Sequence, residues 1–400
     1  MNAIPSLPLP RAPILLAASL LLVASRPALL AQSDDFNDGN DTGWSRYTPL
    51  APFGAGGAFS FPAGAYRITA PASPNPDLLG PARTGSLYPA ATFRRVQVEV
   101  DLFGWDNSLT QSIGVFARAS DLGLGTTTGY TYNYNILSGF HQINMVLNEA
   151  AARVVNESAY RLNPDHRYRM IFTAVENKFL GRIYSSTNSS VPVHSLFGLD
   201  ETHSSGRSGV FVFAIDLASR LDARFDNYVT RVPGTIRATL LDSAPAAGEI
   251  RATPIPTVVV RLANIETSIQ PDSIRLTVDG QEVSFESFEL DSILTLTHTP
   301  GAELDPARPH QASVRFTDDQ GEQTFNWTFG TPAAVSPKLL GAARIQDAFQ
   351  PETGATLDPV AKRFTAPLSS EQRFYRVEDA TARTLKSVST SGNQVTIAFE

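Results

Sequence analysis

The sequence predicts an all-β chain built from antiparallel sandwiches, and three observations carry that expectation. At 400 residues it exceeds what one small core holds and fits two or three domains. Beyond the amino terminus no convincing amphipathic helix is found, and short alternating apolar and polar runs take its place. Its 28 prolines and 27 glycines punctuate those runs with turns.

The first element, 1–31, reads as a leader: Arg11, the apolar run Pro13–Ala24, then small residues ending at Ala31. That is the order of a secretory signal peptide, and the run is too short to span a bilayer. Cleavage is expected after Ala31, although Leu29 is larger than the residue usual at that subsite. No later stretch approaches about 18 apolar residues. The mature chain is therefore expected to be secreted or periplasmic, with no membrane span.

The strands follow in order. "RRVQVEVDLF" alternates Val96, Val98, Val100 and Leu102 with Gln97, Glu99 and Asp101, so one face is buried and one is wet. "QSIGVFARAS", "TGYTYNYNIL", "HQINMVLN", "YRMIFTAVE" and "FLGRIYSS" continue the pattern. "SGVFVFAIDL" is apolar on both faces and reads as a central strand covered on both sides, and "ARFDNYVTRV" closes the set. Between them Ser195–Gly209 is polar and reads as a long loop. Pro233-Gly234 marks the end of this first domain, 33–232.

From 235 to 331 the strands are shorter, with turns at Asp279-Gly280 and Gln320-Gly321, and their number fits an immunoglobulin-like sandwich. Trp327 and Phe329 alternate in its last strand and are expected in its core. A second linker, Thr331–Lys338, leads to a small β-rich carboxy-terminal module, 339–400, that ends on "NQVTIAFE".

Composition excludes several classes. With no cysteine, thiolate metal sites, a cysteine nucleophile and a lipoprotein anchor are ruled out. An exported domain without disulfides fits a bacterial source, in which the sequons at Asn156, Asn188 and Asn326 are chance matches. The formal charge is −7, and loss of Arg11 and Arg26 with the leader makes it two units more negative. A modestly acidic surface argues against nucleic acid or an anionic membrane as partner.

"DDFNDGNDTGW" at the start of the first domain and "ARFDNYVTR" at its end resemble the edges of concanavalin A-like, laminin-G-like jelly-roll modules of secreted bacterial proteins. "IGVFARAS" followed by "TGYTYNYN" is similar to the adjacent central strands of that lectin and glucanase superfamily. The resemblance implies that the first and last strands lie side by side, with Phe36 and Phe225 in the core and Trp44 covering an end. "LTVDGQEV" and "ASVRFTDDQGEQTFNWTF" resemble bacterial immunoglobulin-like spacers, and "FTAPLSSEQRFYRVE" is similar to a short module found behind them.

Site chemistry is weighed against plain structure. Asp34, Asp35, Asn37 and Asp38 either cap turns or, with Asp226 and Asn227 brought alongside, hold a structural calcium ion, which wants six to eight oxygens. Glu99 and Asp101 project from one strand face, as glycoside cleavage can require. Laminarinase-like glucanases, which this stretch resembles, carry a further Glu where this chain has Phe103, Gly104 and Trp105. His194 and His203 flank Asp200 and Glu201 without a zinc spacing.

Sugar recognition remains, through an aromatic ring with amides beside it. Tyr130, Tyr132 and Tyr134 share one strand face, and Thr131, Asn133 and Asn135 the other. With the tyrosines mostly inside and one ring reaching the rim, Arg118, Asn133, Asn135 and Tyr132 form the expected binding face, edged by Trp105 and Asn107. The sequence thus points to an exported, non-catalytic protein whose jelly roll binds a polysaccharide or surface glycan and whose immunoglobulin-like domain is a spacer. A hydrolase or lyase on the same fold, and an adhesion protein without a sugar ligand, are the alternatives.

Overall fold

The computed structural model describes residues 31–399 apart from 89–90, 187–190, 252, 307, 332–337, 359–360, 369–372 and 379–383. The leader, most of the second linker and the Asn188 sequon lie outside the described residues. The first sandwich contains fifteen strands. They are β1 (Gln32–Asp34), β2 (Ser45–Tyr47), β3 (Ala58–Ser60), β4 (Tyr66–Ala70), β5 (Arg83–Leu87), β6 (Val96–Leu102), β7 (Gln111–Ser120) and β8 (Thr128–Asn135). Then come β9 (Phe140–Leu147), β10 (Ala150–Ala159), β11 (Tyr168–Val175), β12 (Lys178–Ser185), β13 (His194–Leu199), β14 (Arg207–Ala214) and β15 (Leu221–Arg231). A single helical turn, α1 (Pro76–Leu79), is capped by the Asn75 side chain.

Two antiparallel sheets face each other. The front sheet runs β10-β9-β8-β7-β14-β5-β2, and the back sheet β13-β12-β11-β6-β15-β4-β3, with β1 also on β15. Their inner faces hold the alternating apolar residues that the sequence displays. Val96, Val98, Val100 and Leu102 meet Ile113, Val115, Tyr130, Tyr132 and Tyr134 in one core. β1 pairs with β15 antiparallel, Gln32 opposite Thr230, so the two ends of this sandwich are neighbours. Phe36 and Phe225 are fully buried, and Trp44 packs on Phe36 and Tyr228.

One expected loop is a strand. β13 occupies the first part of the stretch 195–209 because Leu196 faces the main core while Phe197 faces the opposite side, a strand alternation that flanking polar residues obscure. β10 carries an exposed pattern and sits at the sheet edge, where alternation is weakest.

The second sandwich pairs one four-stranded sheet (Thr239–Ala244, Val258–Ala263, Ile293–His298, Glu286–Leu290) with another (Gln281–Val283, Arg275–Val278, His310–Asp318, Gly321–Phe329). Trp327 and Phe329 lie in its core. It packs on the outer face of the back sheet. Val175, Leu180 and Phe197 form an apolar cluster with Leu241, Ala263 and Ile265 across the junction. Lys178 Nζ donates to the carbonyls of Asn264 and Ile265 at 2.9 and 2.7 Å, and Arg95 pairs with Glu266. The front sheet is left uncovered by this contact. The carboxy-terminal module holds two small sheets around Leu339, Phe364, Val395, Ile397 and Phe399.

Candidate functional site

Strand pairing sets the outer face of the front sheet in rows. One row reads Leu87, Gly209, Phe116, Thr131, Asn144 and Val154 from β5 to β10. The next reads Tyr47, Gly85, Phe211, Gly114, Asn133, Gln142 and Glu157, and a third has Arg83, Phe213, Ser112 and Asn135. The front sheet therefore divides its outer face: phenyl rings on β7 and β14, amides on β8 and β9. Phe211 lies between two glycines, and a Cβ at Gly114 would stand 2.2 Å from the Tyr132 carbonyl oxygen. That close approach requires glycine and leaves room for the ring. Phe116 and Phe211 sit 4.6 Å apart, and Phe213 stacks on Phe211 at 5.8 Å. This is the outer apolar side of "SGVFVFAIDL". Phe116 and Phe211 are only 5% and 4% exposed and form a second buried cluster with Leu87 and Ala119, as a strand covered on both sides requires, while the half-buried Phe213 stands at the edge of the open groove of about 560 Å³ that lies over them.

Three loops raise the groove's rim: the α1 turn with Gly80 and Pro81, the 121–127 segment, and the β9–β10 hairpin at Asn148 and Glu149. Glu149 ties them together. Its carboxylate accepts from Tyr47 Oη, from Arg83 Nη2 at 2.6 Å and from the Gly125 backbone N–H. Arg83 Nη1 in turn donates to the carbonyls of Leu79 and Pro81 at 2.8 and 2.9 Å. The Glu149 side chain is 5% exposed, so the pair is shielded from water. Burial, then the Glu149 charge, hold the Tyr47 phenol protonated far above its ordinary range.

Beside the rings the amides bond one another. Asn133 Nδ2 donates to Ser112 Oγ at 2.7 Å and Asn144 Nδ2 to Asn133 Oδ1 at 2.8 Å, while Gln142 Nε2 reaches Glu157 at 2.7 Å. Asn133 thus sits on the face expected for it, as the hub of that network. Asn135 shares the face, and its Oδ1 accepts from Ser138 N at 3.1 Å.

The other expected ligand residues go elsewhere. Tyr132 is fully buried between the sheets, and its hydroxyl has no hydrogen-bond partner, so it cannot touch a ligand. Tyr132→Phe should raise unfolding stability by about 1 kcal/mol, since it removes an unpaired buried hydroxyl. Urea unfolding reads this, and a loss of stability would mean the hydroxyl has a partner. Trp105 is buried against Tyr134 and donates through Nε1 to Asn107 Oδ1 at 2.9 Å, so both close an end of the core rather than edge a groove. Arg118 is turned away by the irregularity in β7 between Ala117 and Ser120. Its guanidinium donates to the carbonyls of Arg94 and His203 and lies over the Phe179 ring. It lines a separate cleft of about 460 Å³ with Arg94, Arg95, Glu176, Glu201 and His203.

In the acidic opening the structure engages most of the side chains with nearby groups. Asp34 accepts from Phe36 N at 2.8 Å and Trp44 Nε1 at 2.7 Å, Asp35 from Asn37 N, and Asp38 from Asn40 N. These are local turn bonds. Asn37 faces Gly64. Asp226 stays apart from them: Asp34 pairs with Tyr228, and the bulge after Asp226 turns its carboxylate to Arg167 at 2.7 Å. Among the described residues no group of three or more His, Asp or Glu could hold a metal ion.

Glu99 and Asp101 stand on the back sheet's outer face, away from the groove. Glu99 pairs with Arg231, and Asp101 with Arg169 at 2.9 Å and Asn227 Nδ2 at 2.8 Å. Asp200 accepts from Tyr130 and Arg153, and Glu201 from Asn177. His194 Nε2 meets Ser158 Oγ at 2.7 Å and His203 Nε2 the Val146 carbonyl at 2.9 Å. These groups sew loops and sheet edges together.

No protein-family model matches the chain, and none of the curated proteins matches it in sequence. Among solved structures it is similar to the carbohydrate-binding module CBM66 from Bacillus subtilis, at 18% identity and a TM-score of 0.35 over 48% of this chain and 97% of that one. It is also similar to lectin II from Ulex europaeus, at 9% identity and a TM-score of 0.35 over 50% and 97%. A prokaryotic β-1,3-1,4-glucanase derived from a mouse hindgut metagenome gives 12% identity and a TM-score of 0.37 over 51% and 99%. At these values the similarity carries no functional inference. Among the described residues no helix is long and apolar enough to cross a membrane.

Proposed function

We propose that the first sandwich is a non-catalytic carbohydrate-binding module of an exported protein, and that the front groove holds a glycan segment. The observation that carries this is the juxtaposition of a phenyl floor, Phe116, Phe211 and Phe213, with the amide network of Asn133, Asn144 and Gln142 on one sheet face. Sugars present an apolar C–H face, which the apolar part of such a surface covers, and hydroxyl edges, of which the amides can meet a few at its border. The groove's size suits a short segment of polymer, within the roughly 300–1,000 Å³ usual for ligand sites.

A non-catalytic reading is favoured because Glu149 is the one carboxylate among the described groove-lining residues, and Arg83 holds it. Two-carboxylate glycoside cleavage needs a second beside it. The second sandwich, docked on the opposite sheet, serves in this reading as a base that points the groove outward.

Thermal unfolding of the mature chain over a panel of polysaccharides is the direct test, because a ligand of the native state raises the midpoint. At least one glycan should give a rise that Phe213→Ala, at a half-buried ring, removes while the unliganded variant keeps its native spectrum. No rise with any glycan, or a rise that Phe213→Ala leaves intact, overturns the assignment.

A further inference from the structure

We infer that the groove selects a glycan bearing apolar substituents, O-acetyl or deoxy-methyl groups, over a fully hydroxylated one; this rests on the carbohydrate reading above. Most of the polar atoms that line the groove are already engaged with each other, the buried Arg83 Nε being an exception. Both Glu149 oxygens, the Tyr47 hydroxyl and Arg83 Nη2 form one closed set. Asn144 Nδ2 is shared between Asn133 Oδ1 at 2.8 Å and Thr131 Oγ1 at 3.4 Å, and Thr131 Oγ1 donates to Asn133 Oδ1 at 3.2 Å. A hydroxyl brought onto this surface would give up water and find few free partners, which is unfavourable.

What the groove offers in quantity is apolar surface. Phe213 is half-buried over the buried Phe116 and Phe211 rings, and the lips carry leucines held out toward solvent: Leu78 is 78% exposed and Leu124 is 40% exposed. Both side chains gain by covering a methyl group. The broad indole platform that suits the flat face of an unsubstituted ring is missing here. All three tryptophans, Trp44, Trp105 and Trp327, are buried in cores. An acetyl ester supplies a methyl for the floor and lips and replaces a hydroxyl that needs both donor and acceptor with a group that only accepts.

The experiment uses the mature chain in affinity electrophoresis and titration calorimetry against matched pairs. Xylan, glucomannan, a soluble β-glucan and a fructan are each compared in acetylated form and after mild alkaline deacetylation. The acetylated member of at least one pair should bind about fivefold or more tighter, the effect of one or two buried methyl groups. Leu78→Ser, a change at an exposed lip that leaves the core intact, should shrink that ratio toward one. Equal or tighter binding of every deacetylated member overturns the inference and leaves the carbohydrate reading standing. Retention of neither member of any pair overturns the carbohydrate reading, and the inference falls with it.

Discussion

Glu149→Ala should destabilise the first sandwich by about 3–5 kcal/mol, far more than a typical surface change, because it strips a buried cation of its partner. Arg83 would then keep its contacts to the Leu79 and Pro81 carbonyls but face the sheet with no counter-charge. Tyr47 Oη and the Gly125 N–H would lose their acceptor at the same time. The rim loops are joined through this carboxylate and the Glu149 N–H bond to the Thr127 carbonyl at 2.7 Å, so ligand affinity should fall with stability. Arg83→Met combined with Glu149→Gln separates the two effects. That pair removes both charges, should recover most of the stability, and should still bind weakly if rim position matters for the ligand. Urea unfolding and binding titration read both quantities. A cost under about 1 kcal/mol for Glu149→Ala would place the pair among exposed ion pairs and refute the rim-lock account.

Acid should destabilise this sandwich through a histidine pair from just below neutral pH. His141 on β9 and His194 on β13 stack with ring centres 4.4 Å apart where the two sheet edges close. His141 Nε2 meets the Tyr160 carbonyl at 2.9 Å, and both Nδ1 atoms are buried without a partner. Burial, then the neighbouring His194, push His141 down to about 3. Burial pushes His194 down to about 4, against the favourable charge of Asp242. The unfolded chain takes these protons near pH 6.5 and the folded chain does not, so the unfolded state binds more protons below that point. Stability is therefore full above about pH 6.5 and falls progressively toward pH 4, each histidine adding up to about 1.4 kcal/mol per pH unit. The held carboxylates, such as Asp41 and Asp200, are lowered from an ordinary 3.8 and act only below that window. Urea midpoints at pH 7, 6, 5 and 4 should trace the fall, and His141→Gln should roughly halve its slope. An unchanged slope in that variant would remove the pair from the explanation.

Much of the architecture can be read from residue pattern, because burying one face of an antiparallel strand imposes a period of two that survives in the sequence. Val96, Val98 and Val100 point inward as their spacing requires, and Trp327 and Phe329 do so in the second sandwich. The density of Asp and Asn after Gln32 likewise has a largely local cause: Asp34, Asp35, Asp38 and Asn40 each satisfy a backbone N–H two residues on. Where pattern misleads, an edge or a bulge is responsible. β10 packs Val155 only partly against the core and otherwise shows no buried alternation, and the β7 irregularity turns Arg118 out of the row that simple alternation assigns it.

The groove was legible only in part. Asn133 falls on the right face by counting alone, and the doubly apolar "SGVFVFAIDL" flags Phe211 and Phe213 as unusual. Nothing local connects Arg83, Tyr47 and Glu149, which are up to 102 residues apart and meet through strand order. Local chemistry and alternation are properties of neighbours in the chain, so composition, turns and core faces are already present in the residues. Which strands lie side by side depends on the whole chain burying its surface at once. For that reason Asp226 pairs with Arg167 rather than with Asp34, and Tyr132 lies under the sheet rather than in the groove.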